Sequence, residues 1–178
     1  AGEMSEEEYR MAEGDMTRSA GHCMTMGTAS TMTALAEVMG FTVPGASSVP
    51  AMDANHLRLA AEAGRLAVNN AWDGPDPGAL ATRESFENAI AVDMALGGST
   101  NAIVHLLAMA GRAGVDLDLD DFDTISKKTP LIADLRPSGR FLMEDFYFAG
   151  GLSAVLKRME TILHMDVPTV NGMTIGEN

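Results

Sequence analysis

Four runs of helix-period residues in this sequence are each closed by glycine, and that punctuation narrows what the chain can fold into. Ser5-Glu-Glu-Glu8 reads as a capping box, with a short helix to about Glu13 and Gly14 as its stop. Ala29, Met32, Leu35, Ala36 and Met39 follow at helical spacing, and Gly40 ends that run. Thr82 caps a third run through Phe86, Ile90 and Met94 to Gly97-Gly98; Ser99 or Thr100 caps a fourth, Asn101 to Arg112, ended by Gly114. In that last run Ile103, Val104, Leu106, Leu107 and Ala110 surround most of the helix, which predicts deep burial.

The segments between and after these runs follow the same logic. Residues 42–50 carry two prolines and a glycine and read as a loop. Asp53 caps a helix to about Asn69, with Leu57, Ala60, Ala61, Leu66 and Val68 as buried candidates, and Trp72 to Gly78 is a rigid connector. Asp116 to Phe122 invites a calcium reading, but an EF-hand loop starting at Asp116 would need Gly and Glu where Asp121 and Lys127 stand. The acidic run is instead the capped start of a helix with Phe122 and Ile125 inward. Leu131 to Leu135 is the best strand candidate, bounded by Pro130 and Pro137. Helices follow over 141–148 and 152–163, the second with Leu152, Val155, Leu156, Met159 and Leu163 on one stripe. Val167 to Ile175 holds a hairpin-turn pair, Asn171-Gly172. The expected fold is mainly α, with about seven helices and one to three short strands.

The 178 residues have the length of one domain and can bury a real core. A net charge of −13 argues against a nucleic-acid partner and gives no support for an anionic membrane surface. No apolar run approaches the ~20 residues of a membrane span. One cysteine excludes an internal disulfide and suits a reducing compartment, so the expected location is cytoplasmic. The acidic N-terminus, Glu3 to Glu8, is unlike a signal peptide, and the start at Ala1 reads as that of an excised piece. The fourteen methionines suggest adaptable packing and no function of their own.

Two stretches carry candidate chemistry. The first is Arg18 to Met32, where Cys23 stands among small and hydroxyl residues just before, or in the first turn of, a helix. Open backbone N–H groups and the positive end of the helix dipole favour a thiolate there, as a metal ligand or nucleophile. The other reading of the same spacing is a buried, inert cysteine. The second stretch is Gly97-Gly-Ser-Thr-Asn101, where glycines let backbone approach a ligand and Ser99, Thr100 and Asn101 add donors; a simple helix cap fits equally. His22 adjoins Cys23, but adjacent side chains rarely aim at one another, which disfavours a Cys–His nucleophile pair. No nucleophile-elbow spacing supports a serine triad, and His56 has no second ligand at a clear spacing.

Gly21-His-Cys-Met-Thr-Met-Gly-Thr-Ala-Ser-Thr-Met32 resembles the third cluster-cysteine motif of the dihydroxy-acid dehydratase and phosphogluconate dehydratase family, in the form of its sugar-acid branch (arabinonate and xylonate dehydratases). Gly97 to Leu106 resembles a second signature, and Leu135 to Phe146 followed by Ala149-Gly-Gly151 a third. The resemblance implies that residues 1–166 are the latter half of an α/β N-terminal domain, with 167–178 a β-turn segment leading toward a C-terminal domain. It implies a hydro-lyase that converts a 2,3-dihydroxy acid, a small-molecule hydroxy acid partner, to a 2-keto acid. The implied cofactors are an iron–sulfur cluster, 2Fe–2S rather than 4Fe–4S, and Mg²⁺. Cys23 matches a cluster ligand; His22, Thr25, Ser99, Thr100 and Asn101 are candidates for substrate contact or for the cluster's surroundings. The other cluster cysteines, the magnesium ligands and the catalytic serine have no match in this chain, which by itself is expected to be inactive. The complete protein is expected to be a homo-oligomer.

Two other classes remain open from the residues: a non-catalytic helical module whose glycine turns serve packing or partner binding, and a stand-alone cysteine enzyme. The first expectation for the structure is that Cys23 lies near a helix start on accessible surface. The second is that Ser99 to Asn101 cap a helix facing the same side as Cys23.

Overall fold

The computed structural model describes residues 4–16 and 20–178. Arg18 and Ser19, at the start of the cysteine stretch, and Glu3 lie outside the described residues. The described chain forms nine α-helices: α1 (Glu6–Met16), α2 (Thr28–Val38), α3 (Ala54–Asp73), α4 (Pro77–Leu80), α5 (Arg83–Leu96), α6 (Asn101–Ala113), α7 (Leu119–Ser126), α8 (Met143–Phe148) and α9 (Gly151–Arg158), with a 3₁₀ turn at Ala46–Ser48. The fold is mainly α, as the glycine-closed periods require.

Helix α5 is the axis of the core. Thr82 caps it through a hydrogen bond from the Ser85 N–H, and Phe86, Ala89, Ile90, Val92, Ala95 and Leu96 are fully buried. α2, α6 and α7 pack around it, bringing Leu35, Val38, Met39, Leu106, Ala110 and Phe122 into the same cluster. Burying a side chain of Leu, Val or Phe size stabilises by about 1.5–3 kcal/mol each, so this cluster carries most of the fold. Gly97 ends α5 and Gly114 ends α6, both at positive φ. Asp118 forms a capping box on α7 with Asp121. At the far end of α5, Arg83 bridges Glu87 and Asp121, and His164 lies 2.8 Å from Glu87.

Several sequence expectations are corrected. α1 passes through Gly14 to Met16, because one glycine weakens a helix without ending it. None of Leu57, Ala60, Ala61, Leu66 and Val68 is buried; Leu57 is 76% exposed and Val68 62%. Periodicity reveals an apolar stripe but not which side of the helix meets the body. α3 also runs on through Trp72 to Asp73, and Pro77 opens the short α4, so the connector is only residues 74–76. α6 buries one stripe, Ala102, Leu106 and Ala110, and Val104 is 68% exposed. Leu131 to Leu135 forms no strand: the N–H groups of Ile132 and Ala133 both donate to the Ala95 carbonyl at the end of α5. Without a neighbouring strand, the segment bonds to whatever open acceptors it meets. Only isolated bridges occur among the described residues, Leu135 with Phe141 and Pro168 with Thr174. The second bridge belongs to the Asn171-Gly172 turn, which the Val170 N–H fastens to the Gly40 carbonyl.

Candidate functional site

The loop before α2 presents Cys23. Its sulfur is exposed, and its backbone lies four residues ahead of the N-cap Gly27. This is one step further from the helix than the first turn, and on accessible surface. Three hydrogen bonds tie the loop to the body, Met26 N–H to the Arg136 carbonyl (2.7 Å), Met143 N–H to the Met24 carbonyl (2.8 Å) and Ser30 Oγ to the Thr25 carbonyl (2.9 Å), and a fourth, Gly27 N–H to the Thr25 carbonyl (2.8 Å), closes the loop on itself. Met26 is buried beneath it. An exposed cysteine thus sits on a fixed backbone, and the inert-core reading of Cys23 does not apply.

Thr25 decides the chemistry of the sulfur. Its hydroxyl lies 3.0 Å from Cys23 Sγ. The hydroxyl and the Thr25 backbone N–H lower the thiol's pKa, against a small opposing effect of burial. Open backbone N–H groups and the helix dipole were expected to act on the sulfur; the Thr25 hydroxyl acts first, with the Thr25 backbone N–H beside it. His22 turns away from the sulfur: its Nδ1 lies 3.1 Å from the Cys23 carbonyl and 3.4 Å from Ser30 Oγ. No Cys–His nucleophile pair forms.

The N-termini of α2 and α6 meet. Thr28 Oγ1 lies 2.9 Å from Ser99 Oγ, Asn101 Nδ2 donates to Thr28 Oγ1 at 3.0 Å, and the Ser99 N–H donates to Thr31 Oγ1 at 3.0 Å. Ser99 Oγ also accepts from the Asn101 N–H at 3.3 Å. Thr100 occupies the N-cap position without a side-chain cap. α2 has no side-chain cap either, so N–H groups of its first turn remain open for a ligand. Ser99 and Asn101 therefore reach the helix that the Cys23 loop leads into, while Thr100 takes no part in the junction.

Sequence reasoning missed three members of this junction. Thr28 and Thr31 stand one turn apart on the α2 face toward α6. Asp93, 3% exposed, lies beneath the Gly98 turn, with Oδ1 lacking a hydrogen-bond partner among the described residues. Burial pushes its carboxyl up to about 7. The only sequence signal was an acidic residue within the apolar period of α5. Two crevices among the described residues are one of ≈390 Å³ between α3, Phe41 and Val170, and one of ≈580 Å³ lined by residues 132–135, Phe141, α8 and α9.

The sequence pattern described as "Dihydroxy-acid/6-phosphogluconate dehydratase N-terminal" matches residues 1–178. The chain belongs to this dehydratase family. It is similar to 6-deoxy-6-sulfo-D-gluconate dehydratase of Pseudomonas putida, 49% identical over 91% of the chain and 28% of the relative. L-arabinonate dehydratase of Rhizobium leguminosarum bv. trifolii is 48% identical over 98% of the chain and 31% of the relative. Dihydroxy-acid dehydratase of Caldanaerobacter subterraneus subsp. tengcongensis is 43% identical over 100% of the chain and 32% of the relative. The chain thus spans about a third of the length of the curated relatives it matches. The three resembling motifs of the sequence are the Cys23 loop, the α5–α6 junction and the 135–151 segment. The first two are joined through Thr28 and Thr31, and the third fastens the Cys23 loop through Arg136 and Met143.

As to metal, no group of three or more His, Cys, Asp or Glu side chains that could hold an ion occurs among the described residues. An exposed, thiolate-favoured sulfur on a tied loop fits one ligand of a soft-metal centre whose other ligands come from elsewhere. No helix of the described residues is long and apolar enough to cross a membrane.

Proposed function

We propose that this chain is the latter half of the N-terminal domain of a hydro-lyase that dehydrates a 2,3-dihydroxy acid, a sugar acid or a dihydroxy acid, to a 2-keto acid. Support comes from family membership and from relatives named for dehydration of sugar acids and dihydroxy acids. The observation that carries the site assignment is the exposed Cys23 sulfur, held on a fixed loop with the Thr25 hydroxyl 3.0 Å from it.

In this reading Cys23 is one thiolate ligand of an iron–sulfur cluster, 2Fe–2S rather than 4Fe–4S. Mg²⁺ is the second cofactor, with ligands outside this chain. Such a cluster with an open iron supplies a Lewis acid for the departing hydroxyl. The chain's own residues bind and orient. Thr25 favours the thiolate form of the sulfur and positions it. His22 braces the loop through the Cys23 carbonyl. The open N–H groups of α2, with Ser99, Thr100 and Asn101 beside them, offer donors to an anionic substrate at a face that otherwise belongs to a strongly acidic protein. The chain by itself is inactive, since one thiolate does not hold a cluster. The complete enzyme is a cytoplasmic homo-oligomer.

The test is iron and sulfide analysis of the complete protein, joined to a dehydration assay on a panel of sugar acids and branched dihydroxy acids. Iron and sulfide in equal amounts with turnover of at least one acid support the reading. A protein free of both and inactive on the whole panel overturns it.

A further inference from the structure

Asp93 is an acid left without a partner at the place where α5 hands over to α6. It stands in the last turn of α5, 3% exposed, and its Oδ1 has no hydrogen-bond partner among the described residues. Its carboxyl fills the space where a side chain of Gly98 would stand: a Cβ there would collide with Oδ1 and lie 2.9 Å from Thr31 Cγ2. Thr31 in turn accepts from the Ser99 N–H at 3.0 Å. The carboxyl thus lies directly against the turn that starts α6, next to the junction that carries Ser99, Asn101 and the uncapped first turn of α2.

A carboxyl in that position holds its proton. Burial disfavours the charged form, and the last turn of a helix is its negative end. No charged neighbour among the described residues offsets this: burial alone pushes the carboxyl up to about 7. The charged groups of the surrounding elements are occupied or turned outward. Glu37 of α2 accepts from the Gly45 and Ser47 N–H groups. His105 of α6 is exposed. Asp121 of α7 pairs with Arg83, and Asp134 with Arg140, whose carbonyl accepts from Arg136. A change in the charge of Asp93 near neutral pH therefore reaches the junction without compensation.

We propose that Asp93 governs how tightly the α2–α6 face holds an anionic substrate: neutral, its carboxyl leaves the N–H and side-chain donors unopposed, and ionised, it sets a buried negative charge beside them. It acts through the Gly98 turn and does not touch the ligand. The inference rests on the anionic-substrate reading of this face. Affinity is full below about pH 7 and falls as pH rises above it. A like charge one turn of backbone away, in a medium of intermediate dielectric, is worth on the order of tenfold. Two measurements on the complete protein, at pH 6 and pH 9, test it. The first is KM for a sugar acid, whose carboxylate stays ionised over that range. It should rise on the order of tenfold in the wild type and stay level in Asp93→Asn. The second is the affinity for sulfate, whose charge is also fixed over the range, read by titration calorimetry. It should fall likewise in the wild type and stay level in the variant. Sulfate binding needs no turnover, so a protein that dehydrates nothing yet shows this sulfate pattern sinks the hydro-lyase reading and keeps the inference. A wild type whose KM or sulfate affinity is level between the two pH values overturns it, as does a fall of equal size in Asp93→Asn, or no sulfate binding at all. Asp93→Ser, neutral and smaller, takes the place of Asp93→Asn in the comparison where the latter does not fold.

Discussion

The Thr25 hydroxyl lies 3.0 Å from Cys23 Sγ, and first the hydroxyl, then the Thr25 backbone N–H, lower the thiol's pKa. Thr25→Val removes only the first. The thiolate fraction below the thiol's pKa then falls, and alkylation of Cys23 with iodoacetamide near pH 7 should slow a few-fold, while Thr25→Ser keeps the rate; equal rates in all three proteins would show that the hydroxyl does not act on the sulfur. Asp93 makes the opposite case. Its folded pKa is pushed up to about 7 by burial, well above the ordinary carboxylate value. A carboxyl that prefers its proton when folded costs no stability below about pH 4, and costs progressively more as pH rises to about 7. Asp93→Asn should therefore stabilise the protein by about 1–3 kcal/mol at pH 8 and leave it nearly unchanged at pH 4, read from denaturant midpoints at the two pH values. A pH-independent difference would mean that Asp93 is not neutralised by folding. Cys23 and Ser99 were legible in sequence because small residues and helix starts mark them. Asp93 was not, since a buried acid has no local pattern beyond its place in an apolar period.

At the scale of elements, the junction of α2 and α6 is set by a close approach. A Cβ on Gly98 would collide with the Asp93 carboxylate and lie 2.9 Å from Thr31 Cγ2. Gly98→Ala should thus push α6 away from Thr31, break the Ser99 bond, and cost about 1–3 kcal/mol, the usual range for overpacking; a variant with wild-type stability would contradict the packing described. Asn88 plays a comparable part on the other side of α5, where its Nδ2 donates to the His164 carbonyl at 2.9 Å and its Oδ1 accepts from the His164 N–H at 2.8 Å. Asn88→Leu strands both backbone groups and should destabilise by about 2–4 kcal/mol, as unpaired buried polar groups do. Helix existence was readable from glycine and cap residues such as Thr82 and Asp118, because capping is local. Burial was not readable for α3, since periodicity does not tell which side of a helix meets the body, and Leu131 to Leu135 looked like a strand because its apolar run between two prolines is local while a pairing partner is not.

The molecule as a whole joins three sequence motifs on one construction. The Cys23 loop rests on the 136–143 segment, and α2 behind it is bonded to the start of α6. Family membership accounts for why these stretches occur together, in a chain that spans about a third of its relatives' length. The central claim is that Cys23 holds a cluster. Iron and acid-labile sulfide per chain, measured in the complete protein as wild type and as Cys23→Ser, test it most directly. Hydroxyl oxygen is a poor ligand for a centre that selects sulfur, and serine is close enough in shape to leave the exposed loop folded. The account predicts that iron, sulfide and dehydration activity fall together in Cys23→Ser while the circular dichroism stays that of the wild type. A Cys23→Ser protein with full iron content and full turnover would contradict it.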